Sequence, residues 1–122
     1  MSADEISLTL PADDAFRRVT HLVLGGFAGR LDLTYESLED VELALDALLE
    51  RSGGDGAVTV RVRVEDDELR TVVGPLDARV LRELEREAGG GIDLRRILDT
   101  TCDRVEVSGD SVELAKRIGG ER

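Results

Sequence analysis

Two periodicities run along the chain. Ile6, Leu8 and Leu10 alternate with Ser7 and Thr9, the mark of a strand with one buried face, and Pro11 stops it. Phe16, Val19, Val23 and Phe27 then recur at helical spacing and make a buried stripe, with Arg17, Arg18 and His21 on the opposite face. His21 thus reads as a solvated surface residue. Asp13 or Asp14 can cap this helix, because acidic side chains suit a helix N-terminus. Gly25-Gly26 falls inside it, at about 1 kcal/mol per glycine relative to alanine, and marks close packing or a local break.

The most strongly periodic stretch is Leu38–Ser52, LEDVELALDALLERS. Ser37 followed by Asp40 has the spacing of a capping box. Leu38, Val41, Leu45, Leu48 and Leu49 give one broad apolar face, while Ala44, Ala47 and Arg51 fall on an adjacent stripe. Gly53-Gly54 supplies the stop.

Beyond the glycine-rich turn, Val58, Val60, Val62 and Val64 alternate with Thr59, Arg61 and Arg63. An acidic turn, Glu65–Glu68, leads into a return strand carrying Leu69, Thr71 and Val73, ended by Gly74-Pro75. Asp77–Ala88 reads as a helix with Val80, Leu81 and Leu84 inward, Gly89–Gly91 as a hinge or cap, and Ile92–Cys102 as another helix carrying Ile92, Ile97 and Leu98. Two closing strands follow, with Val105 and Val107, then Val112 and Leu114, around a Ser108–Ser111 turn.

Because every strand alternates, one face of the sheet is buried and the other wet. The helices must cover a single face. The expectation is a single α+β domain over residues 1–122, a two-layer α/β sandwich of about five strands with helices on one face.

Composition narrows the function classes. A formal net charge of −11 disfavours nucleic acid and anionic membrane surfaces, both held mainly by Lys and Arg, and allows steering toward a basic protein. Aromatic residues at 2% leave no base-stacking platform. Cys102, the one cysteine, has no partner for an internal disulfide, no Cys/His cluster suggests zinc, and no evident base activates it as a nucleophile. The acidic N-terminus has no secretory pattern and no apolar run spans a membrane, so a cytoplasmic protein is expected.

The stretch ISLTLPADDAFRRVTHLVLGGFAGRLDLTYESLEDVELALDALLERS resembles the N-terminal half of the bacterial anti-sigma-factor serine kinases, members of the GHKL or histidine-kinase-like ATPase superfamily. GIDLRRILDTTCDRVEVSGDSVELAKRI is similar to that family's last helix and closing hairpin. The resemblance implies the histidine-kinase-like fold, with a mixed, mostly antiparallel sheet. It also implies a regulatory partner, either a sigma factor or an anti-anti-sigma factor, and a possible homodimer formed through the sheet or first helix.

In that family the long second helix carries a Glu base and, four residues on, a magnesium-binding Asn. Those positions align with Ala47 and Arg51. Alanine accepts no proton, and arginine has only N–H donors and cannot ligate magnesium. Asp46 and Glu50 are nearby carboxylates, rotated by about 100° and 60° from Ala47. The family's Asp-x-Gly-x-Gly motif, which reads adenine, aligns with VVGPLD. If Gly74 is its first glycine, Val72 stands for the Asp and Leu76 for the second glycine. The glycine pair before the last helix survives as Gly89–Gly91.

The expectation is therefore a non-catalytic protein-binding relative, without ATP or magnesium. It would keep a vestigial pocket around Ala44, Ala47, Arg51, Gly74 and Gly91, into which Leu76 and the Val80–Leu84 helix have collapsed. Two alternatives remain. One is an active ATP-dependent serine kinase using Asp46 or Glu50 as base and Arg51 as a phosphate clamp. The other is a binder of another small anionic ligand in the vacated pocket.

Overall fold

The expected strands all form, and they join into one sheet. The computed structural model describes residues 5–11, 14–31, 33–51, 56–85 and 94–118. In chain order the elements are β1 (Glu5–Pro11), α1 (Asp14–Leu31), α2 (Tyr35–Arg51), β2 (Ala57–Glu65), β3 (Glu68–Gly74), α3 (Ala78–Glu85), α4 (Leu94–Thr101), β4 (Arg104–Ser108) and β5 (Ser111–Arg117).

The strand order is β1-β2-β3-β5-β4. All four ladders are antiparallel, where a mixed sheet was expected. The reason is the closing hairpin. β3 and β4 run the same way, but β5 folds back between them, so the two parallel strands never touch. The β2–β3 turn places Asp66 and Asp67 at φ 54° and 62°, the primed geometry that matches strand twist. Gly109 opens the β4–β5 turn at φ 62°, where a glycine pays no Cβ penalty.

The alternating residues of the strands meet the helices in one core. Val58, Val60, Val62, Leu69, Val73, Val112 and Leu114 pack with Val41, Leu45, Leu48, Leu84, Leu94 and Leu98. Each fully buried leucine or valine contributes roughly 1.5–3 kcal/mol. α2 is the middle helix, in contact with α1 on one side and α4 on the other.

Three local expectations change. α1 runs unbroken through Gly25 and Gly26, and a Cβ built at either meets nothing within 4 Å, so neither close packing nor a break explains them. Its buried stripe is Thr20, Leu24 and Phe27, with Val19 and Val23 only half-buried. The stripe is thus rotated by about one position from the expected one, because a buried threonine belongs to it; the side chains of Phe16 and Arg17 lie outside the described residues. α2 begins earlier than expected. Thr34 is its cap, accepting a hydrogen bond from the Ser37 N–H at 3.0 Å, so Ser37 sits inside the first turn and does not open a capping box. Asp77 caps α3 in the same way, accepting from the Val80 N–H at 3.0 Å.

The outer face of the sheet is a lattice of ion pairs. Arg63 stands directly opposite Arg70, a like-charge register that is unfavourable alone. Glu65 offsets it, lying 3.0 Å from Arg63 and 3.1 Å from Arg70. Glu68 pairs with Arg70 at 3.1 Å and with Arg104 at 3.0 Å, and Arg61 reaches Glu5 at 3.6 Å. The outward arginines of β2 are therefore answered by acids of their own sheet.

Candidate functional site

α2 places the two alanines of the stripe inward. Ala44 is fully buried and Ala47 is 6% exposed, and both belong to the core cluster that contains Leu76, Val80 and Leu84. Three and four residues separate Ala44, Ala47 and Arg51, so the arginine follows on the same side at the helix end. There the Arg51 Nε lies 3.5 Å from the Glu83 carboxylate of α3, and its Nη1 donates to the Ala47 carbonyl at 3.3 Å.

Glu83 does a second job. It accepts a hydrogen bond from the Leu94 N–H at 3.2 Å, the first residue of α4, where an anion also suits the helix dipole. Arg95 ties the same corner from the other side, donating to the Leu84 carbonyl at 2.8 Å. A carboxylate from α3 thus links the end of α2 to the start of α4. The sequence carries no signal for this link, because Arg51 and Glu83 lie on separate elements joined only by the fold.

The glycine positions separate. Gly74 ends β3, and a Cβ there would collide with the Ser111 side chain, so its glycine is required by a close approach of β5. Leu76 follows, buried, with its N–H donating to the Asp110 carbonyl at 2.7 Å. Val72 faces the other way. Its register neighbours are Arg61 and Glu113 of the outer sheet face, while Thr71 and Val73 point to the helices. The residue aligned with the adenine-reading Asp is therefore on the face away from the helix layer. Gly91, with Gly89 and Gly90, lies outside the described residues.

Asp46 and Glu50, the alternative bases, lie off the core face of α2. Asp46 Oδ1 lies 2.9 Å from His21 Nε2, so His21, expected as a solvated surface residue, is partly exposed and also bridges α1 to α2. Glu50 is exposed. Cys102 is buried as expected, and burial pushes its thiol pKa up, which suits a packing role.

Two cavities lie nearby. One of about 440 Å³ is lined by Arg79, Arg82, Glu83 and Glu85 of α3. The other, of about 200 Å³, is lined by Leu43, Arg96, Ile97, Thr100 and Thr101 between α2 and α4. Among the described residues no cluster of His, Cys, Asp and Glu could hold a metal ion, and no helix is long and apolar enough to cross a membrane.

The chain is 29% identical to the serine-protein kinase RsbW of Bacillus pumilus over 147 residues, covering 99% of this chain and 90% of the relative. Its match to RsbW of Listeria monocytogenes is 28% over 141 residues, covering 94% and 88%. The chain resembles the RsbW serine-protein kinases. The Bacillus pumilus alignment is longer than the chain itself, so that relative carries stretches with no counterpart here. Among solved structures, a Mycobacterium tuberculosis protein crystallised as its RsbU and RsbW domains shares the fold, with a TM-score of 0.67 at 13% identity. That match covers 94% of this chain and 32% of the mycobacterial chain. No protein-family model matches.

Proposed function

We propose that this chain is a cytoplasmic regulatory module of the anti-sigma type that works by binding protein, without the kinase's nucleotide chemistry. One observation carries this reading. Ala47, which the resemblance aligns with the family's base, is buried in the hydrophobic core that also holds Leu76, and Arg51, aligned with its magnesium ligand, pairs with Glu83. A nucleotide between sheet and helices would need this cluster to open and the Arg51–Glu83 pair to part. The family resemblance makes the partner a sigma factor or an anti-anti-sigma factor.

Titration calorimetry with ATP and ADP, with and without magnesium, tests the nucleotide half. No heat is expected up to about 1 mM, an affinity weaker than roughly −4 kcal/mol. Co-expression with candidate sigma and anti-anti-sigma factors tests the other half, with a stable complex expected.

A second reading has one observation in its favour: the relatives are named serine-protein kinases. An active enzyme would use Asp46, beside the base position and hydrogen-bonded to His21, with Arg51 on the phosphates. Sub-millimolar ATP binding in the same titration would select it.

A further inference from the structure

We propose that the groove between α2 and α4 receives a basic amphipathic helix from a partner protein. This deepens the regulatory reading and rests on it for the protein nature of the partner. The groove itself rests on three observations.

First, Glu36, Glu39, Leu43, Asp46 and Glu50 follow one another at spacings of three and four and share one side of α2. Leu43, in the middle of this acidic ridge, is 54% exposed. Second, Leu43 forms one wall of the 200 Å³ cavity completed by Arg96, Ile97, Thr100 and Thr101 of α4. The two threonine hydroxyls donate to their own helix, to the Arg96 and Ile97 carbonyls at 2.8 Å each. They ask nothing of a ligand, so the cavity suits an apolar side chain of a size with leucine or phenylalanine. Third, part of the α2 rim charge has no ion-pair partner among the described residues. His21 pairs with Asp46 and Lys116 with Asp40 at 2.9 Å, but Glu36, Glu39 and Glu42 have no ion pair with a described residue.

A furrow between two helices accepts the ridge of a third. An apolar anchor with acids on the α2 wall and Arg96 on the α4 wall calls for a helix with apolar residues at i and i+3 or i+4 and Lys or Arg on the side turned to α2. A second copy of this chain fits poorly, because it would bring net charge −11 and the same acidic ridge against its own kind.

The probe is a synthetic Leu/Lys amphipathic helix about four turns long, with a Leu/Glu version as control, titrated by fluorescence anisotropy and mapped by amide NMR shifts. The full chain should bind the Leu/Lys peptide and not the Leu/Glu one, with shifts at Leu43, Ile97 and Thr100. Leu43→Glu is the decisive variant. It adds a negative charge, so diffuse attraction would tighten binding, whereas loss of the apolar anchor should weaken it about tenfold or more. Leu43→Ala should weaken it in the same direction, and both replace an exposed side chain, so circular dichroism should match the parent. Glu36→Lys with Glu39→Lys should also weaken binding, while Glu106→Lys on the outer sheet face should leave it within about twofold.

Unchanged or tighter binding by Leu43→Glu, shifts confined to another surface, or no binding at about 1 mM peptide would each overturn the proposal. So would a dimer in sedimentation that Leu43→Glu dissociates, which would assign the groove to a second copy. A sigma factor held equally by parent and Leu43→Glu would overturn the groove and leave the regulatory reading standing. Peptide binding at the groove with no regulatory protein bound would do the reverse.

Discussion

Placing Glu and Asn where the resemblance aligns the family's catalytic pair, Ala47→Glu with Arg51→Asn, is expected to damage the fold without creating an ATP site. Ala47 is 6% exposed and packs in one cluster with Leu76, Val80 and Leu84. A glutamate there forces extra atoms into a filled layer, at about 1–3 kcal/mol for overpacking. It also buries a carboxyl with no cation beside it, at about 1–3 kcal/mol more. Arg51→Asn removes the half-exposed pair to Glu83, worth at most about 1 kcal/mol. The double variant should lose roughly 2–7 kcal/mol, against a total of about 5–15 kcal/mol for a domain. Urea unfolding followed by fluorescence of a reporter dye or by circular dichroism reads the loss, with Arg51→Asn alone falling by no more than about 1 kcal/mol. Calorimetry with magnesium-ATP should stay silent. A double variant as stable as the parent that binds ATP below about 1 mM would refute the reasoning, since space for the nucleotide would then exist beside α2.

Gly26→Ala in α1 should raise stability by up to about 1 kcal/mol in urea unfolding, because the helix continues through it and the added methyl meets nothing within 4 Å. Thr34→Ala should cost about 1 kcal/mol in the same assay, through loss of the hydrogen bond from the Ser37 N–H at 3.0 Å. Burial works against ionised Glu68, yet hydrogen bonds from Arg104 and Arg70 hold its carboxyl below the usual range. A lowered folded-state pKa stabilises above the unfolded value, from about pH 5 upward, and the gain is lost as pH falls through the folded value. The stability gap between the parent and Glu68→Gln should therefore be largest at neutral pH and shrink in acid.

The layers were legible because the strands obey a strict period of two. Val58, Val60 and Val62 turn inward and Arg61 outward with no exception. α1 is less legible because an apolar pattern does not include Thr20, whose burial shifts the stripe toward Leu24. The start of α2 is ambiguous in the sequence because both Thr34 and Ser37 are good caps, and only the backbone decides between them. Around the candidate site, the inward direction of Ala44 and Ala47 followed from helical spacing. The Glu83 partner of Arg51 did not, since nothing local marks a carboxylate that will meet an arginine from another element. The facing of Val72 was in principle readable, because it lies one residue from inward Val73 in an alternating strand.

The distribution of charge gives the two faces of the molecule different reach. On the outer sheet, Arg61, Arg63, Arg70 and Arg104 are matched by Glu5, Glu65, Glu68, Glu106 and Glu113 at contact distances. Paired charges largely cancel beyond a few ångströms, so this face carries little long-range field. α2, by contrast, bears Glu36, Glu39, Asp40, Glu42, Asp46 and Glu50 against one basic residue of its own, Arg51; Lys116 answers Asp40 and His21 bonds Asp46, while Glu36, Glu39 and Glu42 form no ion pair with a described residue. Negative charge is therefore concentrated along α2, since α1, α3 and α4 each carry at least as many basic as acidic residues. A basic partner approaching from solution is drawn to α2, and the association rate should fall steeply as salt shortens the screening length from about 30 Å at 0.01 M to about 8 Å at 0.15 M. Charge reversal at Glu36 or Glu39 should flatten that salt dependence. Reversal at Glu106, inside the compensated lattice, should leave it nearly as steep as in the parent.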